Sequence, residues 1–123
     1  MANSHRELIV WQRAIELSVA LYRLTEAFPR EEIYGLTSQI RRAGVAVASN
    51  VAEGWGRGSR PDYRNFLCIA RGSVLEVQTQ LVIAGELGFG DAKQLRLAEN
   101  LVEEVSKMLW VMVERMSRRS EAR

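Results

Sequence analysis

Residues 54–62 read Gly54-Trp55-Gly56-Arg57-Gly58-Ser59-Arg60-Pro61-Asp62. Glycine, lacking Cβ, tolerates the left-handed conformation that closes a helix, so this run predicts the end of one helix at Gly54. Ser59 then reads as the N-cap of the next. Pro61 falls in that helix's first turn, where its missing N–H is not needed, and Asp62 stands where the helix dipole favours a carboxylate. The stretch is a tight joint between two helices. A nucleotide-binding loop would require a preceding strand and a Lys-Ser/Thr ending, and neither is present.

On both sides of the joint, apolar residues recur at three- and four-residue steps. Upstream, residues 31–54 set Leu36, Ile40, Ala43, Val47 and Val51 on one face. Gly44, Ala46, Ala48, Ser49 and Ala52 lie beside them, small enough to let a neighbouring helix approach. Downstream, residues 60–87 carry Tyr63, Phe66, Leu67, Ala70, Val74, Val77, Leu81, Ala84 and Leu87 in a heptad-like seam, stopped by Gly88 and Gly90. Asp91 and Gln94 form a capping-box pattern that opens a helix over 91–117. Its inward positions are Leu95, Ala98, Leu101 or Val102, Val105, Met108 or Leu109, Met112 and Met116.

The first helix is expected over 7–27, before Pro29. Leu8, Trp11, Ile15, Ser18 and Tyr22 make one stripe, with Ile9, Val10, Leu17, Leu21 and Leu24 around it. That arc is wider than one bundle seam requires. Four helices of roughly 20–28 residues, each about 30–40 Å long and joined by short turns, pack antiparallel with their neighbours. The expected fold is all-α, an up-and-down antiparallel four-helix bundle, with residues 1–123 as a single domain.

Composition narrows the function. A length of 123 residues with 47% apolar side chains suits one hydrophobic core. Cys68 and His5 each stand alone, so neither a disulfide framework nor a Cys/His metal site is expected, and Ser73 has no base to activate it. Cys68 reads as a core filler and His5 as a terminal, solvent-facing residue. No enzymatic activity, metal, cofactor or small-molecule substrate is expected. No apolar stretch approaches the roughly 18–20 residues of a membrane span, and Met1–Glu7 is polar, so a cytoplasmic, non-membrane protein is expected.

Charge carries the strongest functional hint. The 17 basic residues against 15 acids give a net charge of +2, and all but Lys93 and Lys107 are arginine, the side chain suited to fork-like contact with phosphate or carboxylate. Between Arg41 and Arg71 lie six arginines (41, 42, 57, 60, 64, 71) and two acids (Glu53, Asp62), so this segment is +4 and the remainder is −2. Arg41, Arg42, Arg57, Arg60 and Arg64 are candidate phosphate contacts, and Trp55 could stack on an unpaired base. The alternative is that the same arginines form a solvated helix end or pair with acids of another subunit or partner.

Asn50 and Glu53, one turn apart, face a helix bearing Arg71, Glu76 and Gln80. They are expected to form a buried polar network that fixes helix register, because Glu53 lacks the second carboxylate or histidine that proton transfer would need. The last seven residues, Ser117–Arg123, hold three arginines and one acid and read as a frayed basic tail.

Several runs resemble a known family: Phe28-Pro29, Tyr34-Gly35-Leu36-Thr37-Ser38-Gln39-Ile40-Arg41-Arg42-Ala43, Asn50-Val51-Ala52-Glu53-Gly54, Phe66-Leu67, Ile69-Ala70-Arg71-Gly72-Ser73, Glu76, Gln80-Leu81 and Leu87-Gly88. In order and spacing they are similar to the four-helix bundle family of 23S ribosomal RNA intervening-sequence proteins. The likeness is close over residues 8–90 and general in the last helix, and Phe89 stands where the family commonly has tyrosine. It implies a small bacterial protein, sometimes encoded inside insertions in large-subunit ribosomal RNA genes and often elsewhere, without an established biochemical role.

The family is also similar in fold to the accessory bundle protein of diversity-generating retroelements, a ring-like pentamer that works with RNA and a reverse transcriptase. By that analogy the surplus apolar surface of the first helix, with Trp11, and of the fourth, with Trp110, would be buried between subunits. The resemblance thus implies a homo-oligomer, a pentamer by analogy. Together with the charge pattern, it leads us to expect RNA or DNA binding through the arginine-rich second and third helices. The alternative is a protein–protein scaffold with no nucleic-acid contact.

Overall fold

The computed structural model describes residues 2–121 and is all-helical over them, as expected. Four helices, α1 (Ile9–Thr25), α2 (Leu36–Gly56), α3 (Arg60–Glu86) and α4 (Ala92–Glu121), follow one another, with short 3-10 turns at His5–Glu7 and Arg30–Glu32. Packing runs α1 on α2, α2 on α3, α3 on α4 and α4 back on α1, with no diagonal contact among the described residues. This is the up-and-down antiparallel four-helix bundle.

The joints form for local reasons. The Ser59 hydroxyl accepts from Asp62 N at 3.3 Å with Pro61 in the first turn, as expected. The end of α3 is a Schellman closure: Phe89 N donates to Ala84 O at 2.9 Å and Gly88 N to Gly85 O at 3.1 Å, with Gly88 at φ +71°. The Asp91 carboxylate caps α4, accepting from Gln94 N at 3.0 Å. Phe28 and Phe89, 5.6 Å between ring centroids, tie the two loops at that end together.

The first helix is shorter at both ends than the expected 7–27, running Ile9–Thr25, and three further boundaries differ from expectation. Residues 30–32 form a 3-10 turn and α2 starts only at Leu36, because the Glu32 carboxylate reaches forward to accept from Leu36 N at 3.0 Å. Gly54 does not end α2, which runs to Gly56; the left-handed residue is Gly58, at φ +81°. The helix α4 extends to Glu121, past the expected fraying point, while the side chains of the basic tail after Ser117 lie outside the described residues.

The core is built from Leu17, Leu21 and Leu24 of α1, Ile40, Val47 and Val51 of α2, Leu67, Val74, Val77 and Leu81 of α3, and Ala98, Val102, Val105 and Leu109 of α4. In α1 the buried seam therefore passes through Val10, Ala14, Leu17, Leu21 and Leu24, whereas Ile15, Val19 and Tyr22 of the opposite arc face outward. Trp11 is half-buried against the core instead of exposed, and Trp110 is 53% exposed.

By length and composition α3 is long and apolar enough to cross a bilayer, with a mean hydropathy of 1.3 over its most apolar window, contrary to expectation. In the bundle its inner face packs on α2 and α4, and a core helix passes the same test; its outward Leu75, Val82 and Ile83 raise the hydropathy further.

Candidate nucleic-acid interface

The expected set of arginines is divided by the fold. Arg41, in the second turn of α2, and Arg57, which caps its end, are 16 residues apart, which at 1.5 Å per residue places them about 24 Å apart along its axis. Arg41 and Arg42 lie near the start of α2, and Arg57, Arg60 and Arg64 gather at the α2–α3 joint at the opposite end.

Arg41 is committed to structure. Its Nε donates to Thr25 Oγ1 at 2.8 Å, Nη2 to Tyr22 O at 3.3 Å, and its guanidinium lies 4.6 Å from the Tyr22 ring centroid. It fastens α2 to α1. Arg42, one residue on, is exposed.

At the joint each arginine is differently engaged. Arg57 pairs with Glu53 at 2.9 Å one helical turn back, and its guanidinium rests 4.9 Å from the Phe66 ring centroid. Arg64 Nε donates to Ser117 Oγ at 2.7 Å, and that hydroxyl donates to Val113 O, so the contact ties α3 to the end of α4. Arg60 is half-buried, with its Nε cut off from water and without a partner among the described residues. Trp55 meets Tyr63 edge-on, with ring centroids 6.0 Å apart. The Tyr63 hydroxyl is likewise buried without a partner among the described residues, and burial raises its phenol above the usual tyrosine range.

Gly54, Trp55, Gly58, Ser59, Arg60, Tyr63 and Met116 line a pocket of about 280 Å³ at this joint. Tyr63 is the residue that the periodicity assigned to the seam and not to a site. Its spacing three residues after Arg60 is the signal that could have found it, since residues i and i+3 share a helix face.

The expected polar network does not form. Asn50 donates to Ala46 O within its own helix at 2.8 Å, Glu53 turns to Arg57, and Glu76 accepts from Gln80 Nε2 at 3.3 Å. Arg71 instead lies 4.7 Å from the Trp110 ring centroid, bridging α3 and α4. Of the expected set only Glu76 and Gln80 pair with each other, within α3; Asn50, Glu53 and Arg71 each found a partner outside it.

A second surface lies between α1 and α4. Ile15, Val19, Ala20, Leu97 and Leu101 line a largely apolar groove of about 480 Å³, rimmed by Arg13, Glu16 and Arg23. Arg13 crosses between the helices, donating through Nε to Glu104 at 2.9 Å and through Nη1 to Glu16 at 2.7 Å. Hydrogen bonding to Glu16 and the charge of Glu104 hold Arg13 still more firmly in its charged form.

These features define a small up-and-down helical bundle protein with an arginine- and aromatic-bearing joint. The chain belongs to the 23S rRNA-intervening sequence protein family, whose sequence model matches residues 6–111. A crystal structure of a protein of unknown function from the S23 ribosomal protein family of Bacteroides thetaiotaomicron is similar in fold, with a TM-score of 0.76 at 22% identity, covering 85% of this chain and 98% of that one. No curated protein matches the chain.

Proposed function

We propose that the protein is a non-enzymatic, homo-oligomeric bundle that binds RNA or DNA at the α2–α3 joint. The observation that supports this reading is that Arg60 lines one pocket with Trp55 and Tyr63, at the same end of the bundle as Arg57 and Arg64. Cationic forks beside aromatic rings suit phosphates and unstacked bases. The interface is narrower than the composition implied, because Arg41 is used in the fold and stands with Arg42 at the far end.

A labelled single-stranded RNA, titrated by anisotropy with protein freed of co-purified nucleic acid, tests the proposal. Three phosphate contacts predict affinity falling with salt at a log–log slope of about −2. Absence of binding at low salt sinks the reading.

Self-assembly follows from the apolar groove between α1 and α4, with Ile15, Val19 and Leu97 each more than a third exposed and held on rigid helices. A second copy of the chain is the proposed occupant. The second reading, a protein scaffold, draws on the fact that Arg57 and Arg64 already have partners within the chain. Strong assembly without any nucleic-acid affinity is the result that would favour it.

A further inference from the structure

Helix α3 carries an apolar face that the bundle does not use. Its most apolar window has a mean hydropathy of 1.3, yet only 33% of that window is buried. Val74, Val77 and Leu81 point into the core, whereas Ile69, Leu75, Val82, Ile83 and Leu87 are 44–58% exposed. A Cβ built on Gly72 meets nothing within 4 Å, so the face is open there. Between Arg71 and Lys93 the sequence has three acids, Glu76, Glu86 and Asp91, and no base. Glu99 and Glu103 of α4 line a hollow beside Val82. The result is an exposed apolar ridge with an acidic margin, a surface that a solitary bundle would be expected to cover with charge.

The side formed by α1 and α4 has the complementary character. Beyond the groove at Ile15, Val19 and Leu97, a second hollow of about 460 Å³ opens at Ile9, Met108, Val111 and Met112. Arg13 and Arg23 edge the first hollow, and Lys107 and Arg115 the second. Arg13 and Lys107 are paired with acids of the same chain. Arg23 and Arg115 are in no salt bridge among the described residues, and neither are Glu76, Glu86 and Glu99. The lengths also agree, because Ile69 to Leu87 on α3 and Leu97 to Arg115 on α4 each cover about 27 Å of helix.

We infer that the outer face of α3 is the mate of the α1–α4 side: Leu75, Val82 and Ile83 of one copy enter the hollows of the next, with the acidic margin turned towards Arg23 and Arg115. The inference rests on the self-assembly reading above and names the surface that the groove receives. Pairing α3 with α3 would bring the acids of two copies together, and pairing groove with groove would do the same to their arginines, a juxtaposition that costs affinity. Ridge and groove are different surfaces of one chain, so the contact is head-to-tail. Every pair then keeps one free ridge and one free groove, and assembly passes beyond a dimer.

The test uses the full chain and two variants read by light scattering. Val82→Glu places a charge in the ridge and Leu97→Glu places one in the groove; both side chains are 55% exposed, so the fold is kept, which helical circular dichroism checks. Each variant alone should fall to 13.9 kDa. Mixed in equal amounts, the two should form a pair of twice that mass, because the intact ridge of Leu97→Glu fits the intact groove of Val82→Glu and neither can extend further. Glu86→Arg should raise the concentration at half-assembly threefold or more.

If Val82→Glu keeps the parent's mass, α3 is not the mate and the inference is overturned, while dissociation of Leu97→Glu leaves the groove reading standing. Loss, in that same variant, of co-sedimentation with phosphatidylcholine vesicles that the parent shows would assign the ridge to a membrane instead. A parent of only twice 13.9 kDa overturns the inference as well, as does a mixture that stays monomeric well above the concentration at which the parent assembles. A monomeric parent overturns both the inference and the self-assembly reading.

Discussion

Gly54 packs against Phe66 with no room for a side chain between them: a Cβ on Gly54 would lie 2.6 Å from Phe66 Cβ and 3.2 Å from Tyr63 Cδ1. This contact, and not the left-handed turn that a glycine before a helix joint suggests, is why a glycine stands there. It brings α2 and α3 close enough for Trp55 to reach Tyr63.

Gly54→Ala is therefore expected to destabilise the fold by about 1–3 kcal/mol, since a backbone-borne methyl against another Cβ cannot be relieved by a rotamer change. Gly72, mid-helix in α3, has no atom within 4 Å of a built Cβ. Gly72→Ala should instead stabilise by about 1 kcal/mol through helix propensity. Urea unfolding of the two variants checks the opposite signs; equal effects would remove the close-packing account.

Burial raises the Tyr63 phenol above its unfolded value of 10.0, which gives stability at high pH a definite sign. The folded state favours the neutral phenol, so the contribution is complete below about pH 10 and is lost as pH rises through the folded value. A plot of unfolding free energy against pH should bend downward above pH 10 more steeply for the parent than for Tyr63→Phe. Absorbance titration at the phenolate band should show one late-ionising tyrosine that the variant lacks. Superimposable titrations would contradict the burial.

Arg41 and Arg42 are adjacent in sequence and opposite in role. Arg41→Ala removes the hydrogen bonds to Thr25 and Tyr22 and the guanidinium on the Tyr22 ring. It should cost about 1–2 kcal/mol of stability. Arg42→Ala, on an exposed side chain, should change stability by less than about 0.5 kcal/mol. Neither should alter oligonucleotide affinity by more than a small screening effect, whereas Arg60→Gln should. Comparable losses of affinity in all three would restore one continuous basic surface.

The groove between α1 and α4 predicts how assembly is broken. Val19 is 45% and Leu97 55% exposed, and they face the same groove. Val19→Glu or Leu97→Glu should reduce the solution mass from a multiple of 13.9 kDa to 13.9 kDa without loss of helical circular dichroism. Light scattering reads the mass directly. A variant that keeps the parent's mass places the contact elsewhere.

The amino-acid sequence by itself determined the helix count, the order of elements and most of the core. Those depend on local chemistry: Ser59 and Asp91 cap, Gly88 adopts a positive φ, and apolar residues repeat every three or four positions. It also determined family membership, through motifs spaced along α2 and α3.

What tertiary structure decided is which residues of a shared pattern meet. Periodicity places residues on a face but does not say which face turns inward when a helix is apolar all round, so in α1 Leu17 and Leu21 are buried while Ile15 and Val19 face out. Nor does proximity in sequence measure distance along a helix: Arg41 and Arg57 belong to one basic segment yet stand at opposite ends of α2. The pairing of Arg71 with Trp110, of Arg64 with Ser117 and of Gly54 with Phe66 each needs two helices in register. That register is set by the packing of the whole core, which no local stretch contains.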